Sequence, residues 1–271
     1  MRSSVQHAGR LRVLPNCESN QSVRLVFVPE PIPHVRKPRV HREVVSFTRR
    51  GGRLTERLQK GWDDLSATHV LDIPRSTTST SLDPEFRLDL AKAFGREAPT
   101  IMEIGSGRGE SIVHAALENP DKNFLALEVY VPGVAQGLVT MRHLGATNVR
   151  FAVVDAAAAL ATMLPEASLE ELRVWFPDPW HKKKHNKRRL ISPDFAPLAA
   201  RVIQPGGYWR LATDWQEYAD HMHEVLSEAA GFDYSGTWAP RFEGRPVTRF
   251  ESKGLEVGRD IRDLSARRLS E

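Results

Sequence analysis

Four short blocks hold the side chains best suited to chemistry. They are Glu103-Ile104-Gly105-Ser106-Gly107-Arg108-Gly109, the lone acid Glu128, the pair Asp155-Ala156, and Phe176-Pro177-Asp178-Pro179-Trp180 with the basic run that follows it. The first has GxGxG spacing led by an acid. Gly105 and Gly107 let a ligand approach backbone that side chains otherwise cover. A dinucleotide fingerprint needs its third glycine at position 110, where Glu110 stands. An acid near a helix N-terminus repels a phosphate placed there. The turn therefore suits a ligand without pyrophosphate.

Glu128 lies 23 positions after Gly105, where a carboxylate can accept hydrogen bonds from both hydroxyls of a ribose. Asp155, followed by Ala156, is placed to receive an adenine amino group. Either acid alone reads as a solvated loop charge. Acids at the carboxyl ends of three successive strands instead mark the edge where open α/β sheets bind ligands. An acid-lined, phosphate-free site favours a cationic nucleoside, and S-adenosylmethionine, with its sulfonium and amino groups, is the expected cofactor.

In the fourth block Asp178 is fixed between two prolines. Six of the eight residues at 182–189 are Lys or Arg. A charge run is usually a solvated face, but this one adjoins the ligand edge. It suits gripping phosphates while one base is presented to the cofactor. Charge over the whole chain agrees. Residues 1–60 hold 13 Lys/Arg against 4 Asp/Glu, a net of +9, and the remainder nets −5. A basic arm on a mildly acidic body suits a polyanion, because each neutralised phosphate releases counterions.

The elements that must carry these blocks follow from pattern. Short apolar runs at 100–104, 123–129, 148–154, 171–176 and 207–212 predict buried strands. Helical stretches near 109–118, 132–144, 156–164 and 195–203 alternate with them, and a longer helix follows over 215–230. That alternation predicts an α/β, doubly wound, mostly parallel sheet. Upstream, Leu54, Leu58 and Trp62 at helical spacing predict a first helix, and Asp83-Pro84 predicts the start of a second that runs to Phe94. Residues 231 onward have room for one or two further strands.

Residues 1–45 carry five prolines and no sustained period, so they are expected to form a flexible basic arm ahead of a catalytic domain at 46–271. No apolar run approaches the roughly 20 residues needed to span a bilayer. The first residues lack a secretory apolar core, and a cytoplasmic location is expected. Cys17 is the only cysteine, which excludes an intramolecular disulfide and a thiolate-rich metal site. The ten histidines show no spaced cluster, and no metal is expected.

Together these blocks resemble a known family. PDPWHKKKHNKRR at 177–189 is similar to the signature of bacterial tRNA (guanine-N7)-methyltransferases. EIGSGRG, LEVYVPGV, Asp155-Ala156, TDWQEYADHM at 213–222 and RPVTRFESKG at 245–254 follow in the family's order, and SFTRRGGRLT at 46–55 resembles its basic entry segment. The resemblance covers roughly residues 46–258. It implies a Rossmann-like class I methyltransferase fold, a tRNA partner, and methylation at N7 of a guanine in the variable loop. The sequence leaves monomer or homodimer open. The resemblance also implies cofactor binding by Glu103, Glu128, Asp155 and Asp178. Lys182, Asp214 and residues Thr248, Arg249, Phe250 and Glu251 are implied to bind substrate. Asp178 is the first candidate for catalysis, through guanine or the cofactor's amino group. Arg249 stands where lysine is common in the family, which alters donor geometry. Two alternatives stay open: methylation of an exocyclic amino group, because Asp178-Pro179-Trp180 distantly resembles the loop of adenine methyltransferases, and non-catalytic RNA binding.

Overall fold

The computed structural model describes residues 9–13, 25–29 and 53–270. The chain divides into two units, Met1–Glu43 and Val44–Glu271. In the first, β1 (Gly9–Val13) pairs antiparallel with β2 (Leu25–Pro29). The rest of the expected arm, and residues 46–52 of the basic entry segment, lie outside the described residues.

The second unit begins with α1 (Glu56–His69), which sets Trp62 and Leu65 against the core. The second helix, α2, spans only Leu90–Phe94, not the stretch from Asp83. Asp83 folds into a local turn instead. Its side chain accepts from the Glu85 N–H at 2.9 Å and its carbonyl from the Phe86 N–H at 3.0 Å. The cap is Asp89, which accepts from the Lys92 N–H. Asp in a turn competes for backbone that Asp at a cap would complete.

The alternating elements follow as β3 (Thr100–Ile104), α3 (Glu110–Glu118), β4 (Asn123–Leu127), α4 (Val131–Leu144) and β5 (Val149–Ala152). Next come α5 (Ala156–Ala158), continued by a π-turn at Ala159–Met163, then β6 (Leu169–Trp175), a 3₁₀ turn at Lys183–Arg188 and α6 (Phe195–Val202). The chain ends through β7 (Ile203–Thr213), α7 (Gln216–Glu228), β8 (Phe232–Tyr234), α8 (Arg249–Glu256) and β9 (Arg262–Arg268). The seven-stranded sheet runs β5-β4-β3-β6-β7-β9-β8. Its first five strands are parallel, and β9 and β8 complete it antiparallel.

Side-chain alternation explains the helices on both faces. Ile101, Phe124, Ala126 and Phe151 pack with residues of α1, α3 and α4. Met102, Ile104, Leu125, Leu127, Leu172 and Leu211 face the opposite core, with α6 and α7. β7 begins earlier than its apolar run because Pro205-Gly206-Gly207 forms a bulge inside the strand, shifting the register between Leu169↔Ile203 and Glu171↔Tyr208. Among the described residues no helix is long and apolar enough to cross a membrane. Strand order reverses at β3, with β4 on one side and β6 on the other, and the crevice beyond such a switch is where α/β sheets bind ligands.

Candidate active site

The glycine turn fills that switch point. Gly105, Gly107 and Gly109 have φ of 72°, 55° and 77°, conformations that cost a residue with a Cβ. The turn is pressed against α4: a Cβ at Gly133 would lie 2.5 Å from the Gly107 carbonyl oxygen. Glu128, one residue past β4, ties this corner together. One carboxylate oxygen accepts the Gly107 N–H at 2.8 Å and the other the Tyr130 N–H at 2.8 Å. Burial pushes its pKa up, the backbone donors pull it down, and the charge of Asp178 adds a small upward push.

Opposite the turn stands α8, capped by Thr248, whose hydroxyl accepts the Glu251 N–H at 3.3 Å. The Arg249 N–H donates to Glu110 Oε2 at 2.9 Å, so the helix start is bonded to the start of α3. Between them opens a cleft of about 250 Å³ lined by Glu103, Gly105, Gly107, Trp175, Thr248 and Phe250 among others. Phe250 stands 70% exposed at its rim. Glu103 is buried, and its carboxylate accepts from Ser111 Oγ at 2.8 Å. Burial raises its pKa to about 7, against the opposing pulls of Ser111, Arg173, Trp175 and Arg245. The Trp175 indole N–H is buried and completes no hydrogen bond within the protein.

Asp155 lies three residues past β5 and caps α5, accepting the Ala158 N–H at 3.1 Å, with Ala156 buried behind it. Asp178 is exposed. It sits in a segment flanked by two left-handed residues, Phe176 (φ 49°) and Trp180 (φ 48°). Non-glycine residues hold such angles only where surrounding structure imposes them. The basic run divides by role. Arg189 is buried, donating to the Pro179 carbonyl at 2.9 Å and to Glu217 at 3.1 Å and lying over the Tyr218 ring. Arg188 lies over the Trp180 ring at 5.0 Å. Lys182, Lys183, Lys184 and Lys187 face solvent.

The remaining expected substrate residues do not all reach the cleft. Asp214, one past β7, accepts from Arg259 Nη1 at 2.7 Å. Glu251 is 1% exposed and turns away from the cleft into an ion network. Arg241 holds it at 2.7 and 3.1 Å and Arg245 at 3.3 and 3.4 Å, while Arg245 also grips Asp263 at 2.6 and 3.0 Å. Burial alone would raise the Glu251 carboxyl, but the two guanidiniums overcome it and hold its pKa below the ordinary value. Arg245 lies 4.8 Å from the Trp175 ring and 5.5 Å from Phe176, so one network clamps α8, β9 and the aromatic cleft wall. Ser111, Trp175 and this arginine network escaped the sequence reading. Trp175 and Phe176 precede Pro177 in plain sight, but nothing in their spacing separates a cleft wall from a core.

Comparison with known proteins adds a second line. A family model described as a putative methyltransferase matches residues 97–264. The tRNA (guanine-N(7)-)-methyltransferase of Cutibacterium acnes is 46% identical over 240 residues, covering 86% of each chain. That of Paenarthrobacter aurescens is 42% identical, covering 83% of this chain and 91% of its own. That of Aeromonas hydrophila is 41% identical, covering 84% and 94%.

Proposed function

Because this chain belongs to the tRNA (guanine-N7)-methyltransferase family, we propose that it transfers methyl from S-adenosylmethionine to N7 of a guanine in tRNA. The variable loop is the region presented. The observation that carries this reading is the single cleft. It unites the acid-led glycine turn with Thr248 and Phe250 of α8, blocks separated by more than half the chain.

The residues present fit the cofactor. A Cβ at Gly105 would meet no protein atom within 4 Å, so the glycine leaves open cleft where a side chain would stand. Glu103, Glu128 and Asp178 supply negative charge around it, and Glu103 and Glu128 have pKa values raised by burial, a cost that a bound cation offsets. Glu103, Gly105, Gly107, Glu128, Asp155 and Ala156 hold the cofactor, with Asp178 at its junction with the base. When bound, S-adenosylmethionine supplies an electrophilic methyl group whose transfer leaves positive charge on the guanine.

Guanine N7 carries an exposed lone pair, so this chain's residues need not first remove a proton. Their work is alignment. Phe250, at the cleft rim, offers a face for the base, and Thr248 and Arg249 fix the helix start beside it. Asp178 orients the base or the cofactor's amino group and stabilises the charge that develops. Lys182 grips phosphate, and Asp214 stands close behind α8. A Cβ at Gly254 would lie 3.0 Å from its carboxylate. Glu251 acts through its guanidinium partners, holding α8 in place.

The test is methyl transfer from labelled S-adenosylmethionine to unmodified tRNA, followed by nucleoside mapping. 7-Methylguanosine is the expected product. N6-methyladenosine as the sole product, or no transfer by folded protein that binds S-adenosylhomocysteine, overturns the reading.

A further inference from the structure

Beside the third acid runs a loop, 74–83, whose residues 76–81 are all serine or threonine. Its ends are anchored. Ile73 and Leu82 are buried in the core, and the Asp83 N–H donates to the Pro74 carbonyl at 2.9 Å. Within it, three successive backbone N–H groups converge on one side-chain atom. Ser76, Thr77 and Thr78 donate to Ser81 Oγ at 3.1, 2.9 and 2.9 Å. That hydroxyl donates in turn to the Thr78 carbonyl at 2.8 Å. Arg75 Nη1 adds a bond to the Ser81 carbonyl at 3.1 Å.

The next residue inward is the one that reaches the site. Thr80 is 6% exposed, and its carbonyl accepts the Asp155 N–H at 2.9 Å. Asp155 then caps α5 with its side chain. A hydrogen-bonded path therefore runs from the Ser81 hydroxyl through the loop to the backbone of Asp155. Polyhydroxyl sequence has little intrinsic preference for one loop shape, because each side chain competes for local backbone groups. A single shared acceptor removes that freedom.

We propose that Ser81 is a positioning residue for the cofactor half of the cleft: its hydroxyl fixes the loop so that the Thr80 carbonyl holds Asp155 in register with the adenine. This rests on Asp155 as a cofactor ligand. The role differs from simple support of the fold, because the three converging N–H groups lie at the surface. Water replaces their acceptor when the hydroxyl is lost, so no buried donor is orphaned.

The experiment compares Ser81→Ala, Ser81→Thr and Asp155→Ala. Calorimetry measures S-adenosylhomocysteine affinity, steady-state kinetics separates KM from kcat, and thermal melts report stability. Ser81→Ala is expected to bind S-adenosylhomocysteine roughly five- to tenfold more weakly, the equivalent of one loosened hydrogen-bond link. KM for S-adenosylmethionine rises in parallel, while kcat, KM for tRNA and the thermal midpoint stay near wild type. Ser81→Thr, which keeps the hydroxyl, restores binding. Wild-type affinity in Ser81→Ala alongside weakened Asp155→Ala overturns the positioning role, as does a Ser81→Thr variant as weak as alanine. Wild-type affinity in Asp155→Ala shows instead that Asp155 is no cofactor ligand, and the role of Ser81 falls with it.

Discussion

Replacing Glu251 with glutamine separates two roles that the same residue could play. A carboxylate that touches guanine directly would, when neutralised, cost activity and leave stability intact. The structure places it elsewhere, 1% exposed and within 3.4 Å of four guanidinium nitrogens. Removing one partner of a buried ion pair costs about 3–5 kcal/mol. Here Arg245 keeps Asp263 at 2.6 Å, and Arg241 is 40% exposed and can rehydrate, so the low end applies, about 3 kcal/mol. For a chain of this size that is a fall of roughly 6–12 °C in thermal midpoint. The sign with pH follows from the depressed carboxyl. Its stabilisation is complete above the unfolded value, about 4.3, and is lost as pH falls through the lower folded value. Urea denaturation of both proteins across pH should show a wide gap at pH 7 that narrows below about pH 4. A gap under about 1 kcal/mol at pH 7, with activity lost, would refute the network reading and restore direct contact with the base.

Asp178→Ala should abolish methyl transfer in single-turnover assays while gel-shift affinity for tRNA stays largely intact. Full retained activity would remove Asp178 from the mechanism. Lys182→Ala should weaken tRNA binding more than cofactor binding and make the dependence of log affinity on log salt shallower by about 1, and an unchanged slope would place Lys182 away from phosphate. Glu103, with its pKa raised to about 7, ionises in the unfolded chain first, so it lowers stability as pH rises from its unfolded value to about 7. Glu103→Gln should therefore be more stable than wild type at pH 8 in chemical denaturation, yet bind S-adenosylhomocysteine poorly. A variant no more stable at pH 8 would show that burial of this charge carries no cost.

What the sequence made legible follows from what each signal encodes. Strand–helix alternation is a period in hydrophobicity, and Thr100–Ile104 with Asn123–Leu127 sit where that period puts them. The acid-led glycine turn is local, because Gly105 and Gly107 need their left-handed angles whatever surrounds them. Asp83 misled because a cap and an Asx turn use the same side chain on the same neighbouring N–H groups, and only the competing contacts decide between them. Pro205-Gly206-Gly207 hides the first part of β7 from the pattern, since a bulge and a strand break share their residues.

The acids show most clearly where local reading stops. Position relative to a strand end tells that a carboxylate stands at the ligand edge, but not what it faces. Glu128 spends both oxygens on backbone N–H groups of its own corner, and Glu103 keeps one serine hydroxyl in a buried setting. Asp214 pairs with an arginine 45 residues away. Glu251 carries the motif that most resembles a base-reading residue, yet it is held by Arg245 of the same motif and by Arg241 outside it, while Asp263, which shares Arg245, stands in a late segment with little periodic signal. A motif fixes which residues must be kept together, while the packing around them fixes which act on the substrate and which hold the actors still. That division makes Arg245, wholly buried between two carboxylates and against two aromatic rings of the cleft, as necessary to the site's shape as any residue that reaches the guanine.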